Sequence, residues 1–444
     1  MEAEVDQVFQ WVVGCSHSDD LHSRTDPLTF RPKLTQIYLK HMKIVNPVVF
    51  VGLACIVLSC QEKKPVDRMT VVELKKYAVD LALSDLIVDG HVDLPYRIME
   101  KRSRLSDVLI HSPEGDFDLN RAKKGGLDAP FISIYVPSSY QKQPDRGKSY
   151  ADALINLVQA MPMLLPDQFA MANSPEDVRH NSRNGKISLP MGMENGAPIG
   201  DDLKNVQYFF SRGIRYITLT HSKYNQICGS SGDTVDTHQG LSPFGREVVR
   251  EMNRVGIMVD ISHVDDSTFY QVMKLTKVPC IASHSSCRYF VPGAKRDMTD
   301  DMIRALGENG GVVLINFYTG FLDSTVNQQR KKTEDFLKGK GLKDSDSLAR
   351  PFLRQLKKDY PVDIETVSNH IDHVVKLIGI DHVGLGSDFD GVDGFLPTGL
   401  EDVSMYPNLI YSLLKRGYTE QDVEKICGGN AMRVWQQVLD AAGH

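Results

Sequence analysis

Leu86 to Pro95 reads LIVDGHVDLP, an aliphatic run that ends in a polar Asp-Gly-His-Val-Asp cluster and stops at a proline. A short β-rich run bounded in this way reads as a buried strand. Side chains alternate along an extended segment, so His91 and Asp93 leave it on one face and can reach a single cation. A lone His-x-Asp pair is more often structural than ligating. Its meaning therefore depends on what the other strands bring beside it.

Outward from this stretch the same layout recurs. Strands are read at Leu86 to His91, Ala129 to Val136, Ile187 to Met193, Ile214 to Thr220, Gly256 to Ile261, Val278 to Ser283, Val312 to Phe317 and Val383 to Gly386. Helical periods lie between them, at Tyr150 to Met161, Asp201 to Arg212, Pro243 to Val255, Ser267 to Leu275, Asp300 to Leu306 and Ile364 to Leu377. Eight strands with crossover helices predict an α/β fold, a (β/α)8 TIM barrel over residues 71–444, rather than an open doubly wound sheet. No G-x-G-x-x-G turn follows the first strand, which removes the main dinucleotide-binding signal. Gly320 to Asp363, charged and with a basic stretch at Arg330 to Lys332, reads as an insertion with its own helices near the barrel mouth, or as a lid. Two more helices, Glu420 to Cys427 and Ala431 to Ala442, close the chain.

Composition narrows the class. The 444 residues are 41% hydrophobic and 24% charged, ordinary for a folded domain, and show no internal repeat. A net charge of −6 without a basic, aromatic-interleaved stripe argues against a nucleic-acid partner. The seven cysteines (15, 55, 60, 228, 280, 287 and 427) form no CxxC pair, so sulfur is not the metal ligand. A disulfide among Cys228, Cys280, Cys287 and Cys427 stays open if the compartment is oxidising.

Met42 onward reads MKIVNPVVFVGLACIVLSCQEKK, with a basic Lys43 and an apolar core from Pro47 to Leu58. That core is shorter than the about 20 residues a membrane span needs, and the layout is that of a secretory signal. Its V-L-S-C end resembles a bacterial lipoprotein signal, which predicts a signal at 42–60 and a lipidated Cys60 as the first mature residue. Leu58 departs from the small residue usual there, and an uncleaved anchor or a buried apolar helix is the alternative. Residues 1–41 then form an upstream extension without function, and 61–70 a polar tether. The expected location is a bacterial cell envelope, periplasmic or on the outer surface, with the membrane a partner through Cys60.

In a barrel of this kind the active site gathers at the C-terminal ends of the strands. Polar residues ending apolar strands are His91 and Asp93 on the first, Glu194 on the third (MGMEN), His221 on the fourth (TLTHS), His263 on the fifth (DISH), His284 on the sixth (IASHSS) and Asp388 on the eighth (GLGSDFDG). Imidazole and carboxylate suit Zn²⁺. His91 with Asp93 provides for one ion, His263 with His284 for a second, and the two oxygens of Glu194 for a bridge. Such a pair holds a hydroxide between the metals, and that chemistry is hydrolysis. Asp388 is placed to take the water's proton and return it to a leaving amine, His221 to hydrogen-bond the developing oxyanion, and Arg296 to fork onto a substrate carboxylate. Plainer readings stand beside these: His221 as a turn cap, Asp390 as a loop-shaping residue, and His370, His373 and His382 as packing residues. Asp260, inside the fifth strand, is a partner for a ligating histidine.

The pieces VDGHVDLP, MGMENG, GIRYITLTHS, DISHVDD, SHSSCR and GLGSDFDGV together resemble the membrane (renal) dipeptidase family, from about Leu86 to the GGNAMRV stretch at Gly428 to Val434. The resemblance implies a dizinc TIM-barrel peptidase that acts on free dipeptides, tolerates a D-residue at the second position and in some members opens β-lactams. It assigns His91 and Asp93 to one zinc, His263 and His284 to the other, and Glu194 to both. It gives His221 and Arg296 to substrate and Asp388 to the proton. Mammalian relatives carry a C-terminal lipid anchor, and here Cys60 is expected to serve in its place. A homodimer is one assembly open to such a barrel. Two other readings compete: another dinuclear amidohydrolase such as a lactonase, which usually bridges its metals with a modified lysine that no strand end supplies here, and a non-catalytic ligand-binding surface lipoprotein with a degenerate barrel.

Overall fold

The structure is a computed structural model that describes residues 65–235, 239–342, 348–359 and 362–444. The upstream extension, the leader, Cys60 and the first part of the tether lie outside the described residues.

Ten strands are described: β1 (Ile87–Val92), β2 (Leu127–Tyr135), β3 (Phe169–Met171), β4 (Ile187–Leu189), β5 (Met191–Glu194), β6 (Ile214–Thr218), β7 (Met258–Asp260), β8 (Ile281–Ser285), β9 (Val312–Ile315) and β10 (Val383–Leu385). Eight of them close a parallel barrel in the order β1-β2-β5-β6-β7-β8-β9-β10, with β10 back against β1. β3 and β4 form a separate parallel pair. The single strand expected from Ile187 to Met193 is thus two. Pro190 stands at the break and has no N–H to donate to a ladder, so the chain pairs with β3 before it and with β2 and β6 after it. All eight barrel strands coincide with strands read from the sequence.

The helix Pro243–Val255 has the bounds its sequence predicts, because both ends are chemically marked. The Ser242 hydroxyl accepts from the Gly245 amide, and Gly256 takes a left-handed φ of 85° just past the end. Asp265, Thr299 and Asp363 cap the helices Asp266–Leu275, Asp300–Glu308 and Ile364–Ile378 in the same way. Helix Pro144–Leu164 starts before the expected Tyr150, since its polar first turns carry no apolar period.

The insertion holds its own helices, Ser324–Gly339 and Arg350–Asp359. Arg330 lies over the rings of Tyr318 and Phe395, 5.4 and 4.6 Å from their centroids, which docks the insertion on the loops after β9 and β10. The end of the chain runs through Glu420–Glu424, one wide π turn at Lys425–Gly429, and Asn430–Ala442. Trp435 from that last helix is fully buried and meets Phe131 edge-on at 5.1 Å, plugging the barrel with Val88, Tyr216, Met258 and Leu314. Truncating such a tryptophan costs about 3–5 kcal/mol. Cys228, Cys280, Cys287 and Cys427 are all buried and unpaired, which closes the disulfide option. Among the described residues no helix is long and apolar enough to cross a membrane.

Candidate metal centre

Glu194 is the last residue of β5 and is 4% exposed. Its Oε2 lies 3.4 Å from His91 Nε2, and its Oε1 lies 3.1, 3.4 and 3.6 Å from the Nε2 atoms of His263, His284 and His221. Four imidazoles from four strand ends therefore surround one carboxylate. Asp93 joins them, its Oδ2 3.3 Å from His91 Nε2. Although Asp93 stands at the N-cap of the helix Leu94–Lys101, its side chain does no capping, which leaves the carboxylate for the site.

What lies behind the histidines sets which nitrogen each turns to the centre. Tyr216 OH donates to the Gly90 carbonyl at 3.1 Å and so accepts from His91 Nδ1 at 2.8 Å, leaving His91 Nε2 bare. Behind His284, Nδ1 meets the Ser283 hydroxyl at 2.7 Å. His263 sits past β7 at φ 68°, a left-handed conformation uncommon for a side-chain-bearing residue. The Ser231 amide and hydroxyl, donating to its carbonyl at 2.9 and 3.0 Å, fix it there.

Asp388, at φ 66°, follows β10 and accepts from Asn316 Nδ2 at 2.8 Å. A Cβ on Gly391 would stand 2.3 Å from Asp93 Oδ2 and 2.6 Å from Asp388 Oδ1, so only glycine lets this loop close over both carboxylates. Arg296 donates to Ser285 Oγ at 2.7 Å and to the His284 carbonyl at 2.6 Å, and its guanidinium faces Phe321 at 5.3 Å.

Burial pushes the Glu194 carboxyl up, but His221, His91, His263 and His284 outweigh it and hold the group well below the usual carboxylate range. His263 and His284 are pulled well below the ordinary imidazole value by burial, helped by Arg296 and by neighbouring rings, which keeps them neutral as ligands require. At His91 burial also pulls down, yet Tyr216, Asp93 and Glu194 outweigh it and the ring rises well above its ordinary value. The Asp93 and Glu194 carboxylates beside this ring favour a cation there.

The donor set fits metal ions. His91 Nε2 and Asp93 Oδ1 are buried without hydrogen-bond partners. Three groups, His91–Glu194–His284, Glu194–His221–His263 and His91–Asp93–Asp388, each offer ligand atoms within 4.8 Å of one another. All five residues read as ligands are thus brought together. His284 faces both halves of the centre, its ring 3.9 Å from that of His91 and 4.9 Å from that of His263. His221, read as a substrate contact, stands within ligand range too.

Strands two and seven gave the sequence reading nothing, but they supply Tyr135, edge-on to His221 at 4.7 Å, and Asn316. Both are polar residues at the ends of apolar strands, the signal that found the others. The residues read as packing groups lie outside the centre. His370 accepts from the Cys287 amide and donates to Leu322 O, His373 meets Asp300, and His382 donates to Gly311 O. Asp390 pairs with Arg97 at 2.9 Å and accepts from the Asp116 amide, shaping the loop as expected.

The sequence profile of the membrane dipeptidase family (peptidase family M19) matches residues 76–444. The chain belongs to that family. It is 34% identical over 368 residues to the dipeptidase tcpJ of Claviceps purpurea (strain 20.1), covering 80% of this chain and 77% of that protein. Among solved structures, the probable dipeptidase PvdM from Pseudomonas aeruginosa superposes with a TM-score of 0.73 at 26% identity, covering 84% of this chain and 100% of the other. A metallopeptidase from Rhodobacter sphaeroides, liganded with a phosphinate mimic of the dipeptide L-Ala-D-Ala, gives 0.67 at 26% identity over 80% and 99%. Family membership makes the chain a metal-dependent hydrolase of the dipeptidase class.

Proposed function

We propose that this protein hydrolyses free dipeptides, including those with a D-residue at the second position, using two Zn²⁺ per chain. The observation that carries the reading is the Glu194 carboxylate ringed by His91, His221, His263 and His284. His91 and Asp93 would hold one ion, His263 and His284 the other, and Glu194 both. Bound there, the ions supply Lewis acidity and an acidified water.

The chain's own groups do the rest. Burial, with the Asp93 and Glu194 carboxylates, pushes Asp388 up to about 7 in the metal-free protein against the pull of His91, and its place beside the centre lets it take a proton from water and return it to the leaving amine as the C–N bond breaks. His221 has a buried Nδ1 without a partner and a ring lowered by burial, so it donates to a developing oxyanion as a neutral imidazole. Arg296 would claim the substrate's terminal carboxylate, sparing longer peptides. The D-residue tolerance draws support from the Rhodobacter sphaeroides relative and its L-Ala-D-Ala mimic.

Metal analysis of the purified chain should give two zinc ions, and assays should show cleavage of L-Ala-L-Ala and L-Ala-D-Ala but not of a tripeptide. Fewer than two ions, or no dipeptide cleavage by zinc-loaded protein, would overturn the reading. We also propose that export and a lipid on Cys60 hold the enzyme at the cell envelope, on the strength of the Pro47 to Leu58 apolar core that precedes this cysteine. Radiolabelled palmitate should enter the wild-type chain and not the Cys60→Ser variant; equal labelling of the two would dismiss the anchor.

A further inference from the structure

Asp260 is fully buried and collects four donors. Its Oδ1 accepts from the amides of Ser262 at 3.0 Å and Ser283 at 2.9 Å. Its Oδ2 accepts from the Ser283 hydroxyl at 2.6 Å and from the Thr218 hydroxyl. These donors come from β6, from the turn after β7 and from β8, so one carboxylate ties three neighbouring strand ends. Asp260 is also in register with Thr218, which is itself in register with Glu194.

The polarity of this network has a consequence at the metal centre. A serine hydroxyl has one hydrogen. Since that of Ser283 goes to Asp260, its oxygen can only accept from His284 Nδ1, 2.7 Å away. His284 is thereby held as the Nδ1–H tautomer, with Nε2 bare and aimed at Glu194 Oε1, 3.4 Å distant. The same carboxylate anchors the Ser262 amide, one residue before His263 in its left-handed conformation. Behind His91 the Nδ1 partner is the Tyr216 phenol, while a different buried carboxylate, Asp89, accepts from the His91 amide at 3.0 Å.

We propose that Asp260 is a positioning residue that presets both nitrogens of one metal site, fixing the His284 tautomer through Ser283 and the His263 turn through Ser262. The inference rests on reading His263 and His284 as ligands. An amide in place of this carboxylate keeps its shape but reverses one polarity. In Asp260→Asn the new NH₂ donates to Ser283, whose hydroxyl then donates to His284 Nδ1 and drives the ring to the Nε2–H tautomer, which cannot ligate. Losing an outer partner of this kind typically costs about 10–100-fold in metal affinity.

The test uses the full chain with ¹⁵N-histidine. Spectra of the chelator-stripped protein should show His284 as Nδ1–H in wild type and Nε2–H in Asp260→Asn. One of two zinc ions should leave the variant about 10–100-fold more readily under chelator competition, while the other is retained as in wild type. Ser283→Ala, which removes the relay and leaves Asp260 in place, should also free the His284 tautomer and weaken the same ion, and it carries the test if Asp260→Asn does not fold. An unchanged His284 tautomer and unchanged retention of both ions in a folded variant would overturn the inference. Wild-type protein that binds fewer than two ions would refute the dinuclear reading instead, with the tautomer result still deciding the relay.

Discussion

His263 Nε2 and His284 Nε2 face each other at 2.9 Å, with Glu194 Oε1 3.1 Å from the first and 3.4 Å from the second. Two neutral imidazoles cannot both point lone pairs at each other and at an ionised carboxylate without a cation or a proton among them. Glu194 is the element common to both halves of the centre, because its other oxygen reaches His91. Glu194→Gln preserves size but exchanges one acceptor oxygen for a donor. Bound zinc should fall from two ions to at most one, and kcat/KM on dipeptides should drop by about a hundredfold to a thousandfold, the scale lost with a preorganised electrostatic element. Elemental analysis beside steady-state kinetics checks this, and a variant with both ions and full activity would contradict it.

Asp388 should separate from the ligands in a different way. Burial and the nearby carboxylates raise it to about 7 in the protein alone, and bound cations shift it back down by favouring the ionised form. A base must be ionised to act, so kcat/KM should rise with pH through an apparent pKa below 7. Asp388→Asn should abolish that limb and lower kcat by about 10²–10⁴-fold while both ions stay bound. A pH–rate profile with parallel metal analysis distinguishes this from loss of the site.

Most of the fold and the clustering of the candidate donors was legible because each strand end announces itself. An apolar run closes on His91, Glu194, His263 or His284, and caps such as Ser242 mark where the next helix starts. Three features were less legible. Tyr216 lies inside a strand, where an inward-facing aromatic looks like core, and only its 2.8 Å contact to His91 reveals the other role. Pro190 sat within an otherwise continuous β-rich run, and which neighbour each half pairs with depends on β3, a three-residue strand too short to show a period. Asp260 was legible as a partner for a histidine but not its route, since the serine between them is one residue from the ligand it serves.

Arg296 should govern binding more than chemistry. Two of its nitrogens hold the end of β8 and its Nε is buried without a partner, so the guanidinium is fixed before substrate arrives. Arg296→Ala should raise KM for free dipeptides by about tenfold to a hundredfold, the worth of a hydrogen bond to a charged group, with a smaller change in kcat. It should also erase discrimination against C-terminally amidated dipeptides. Equal losses in kcat/KM on free and amidated substrates would show that Arg296 does not read the carboxylate.

Asp297, beside Arg296, should be a cost to stability that grows with pH. It is 1% exposed, and burial pushes its carboxyl up to about 8 against the pull of the Arg296 and Arg288 guanidiniums and the Ser286 amide. An unfolded aspartate releases its proton near 3.9, so between about 4 and 8 the native state binds more protons than the unfolded state and stability falls as pH rises. Above about 8 both states are ionised and the penalty stops growing. Asp297→Asn removes the titration. Its urea midpoint should match wild type near pH 4, exceed it increasingly towards pH 8, and hold a constant lead of about 2 kcal/mol or more from there to pH 9. A difference that does not change with pH would rule this account out. Measuring KM on the same variant tells whether the buried acid is retained for its neighbour: if Asp297 restrains Arg296 in its binding pose, the more stable protein should bind dipeptides less well.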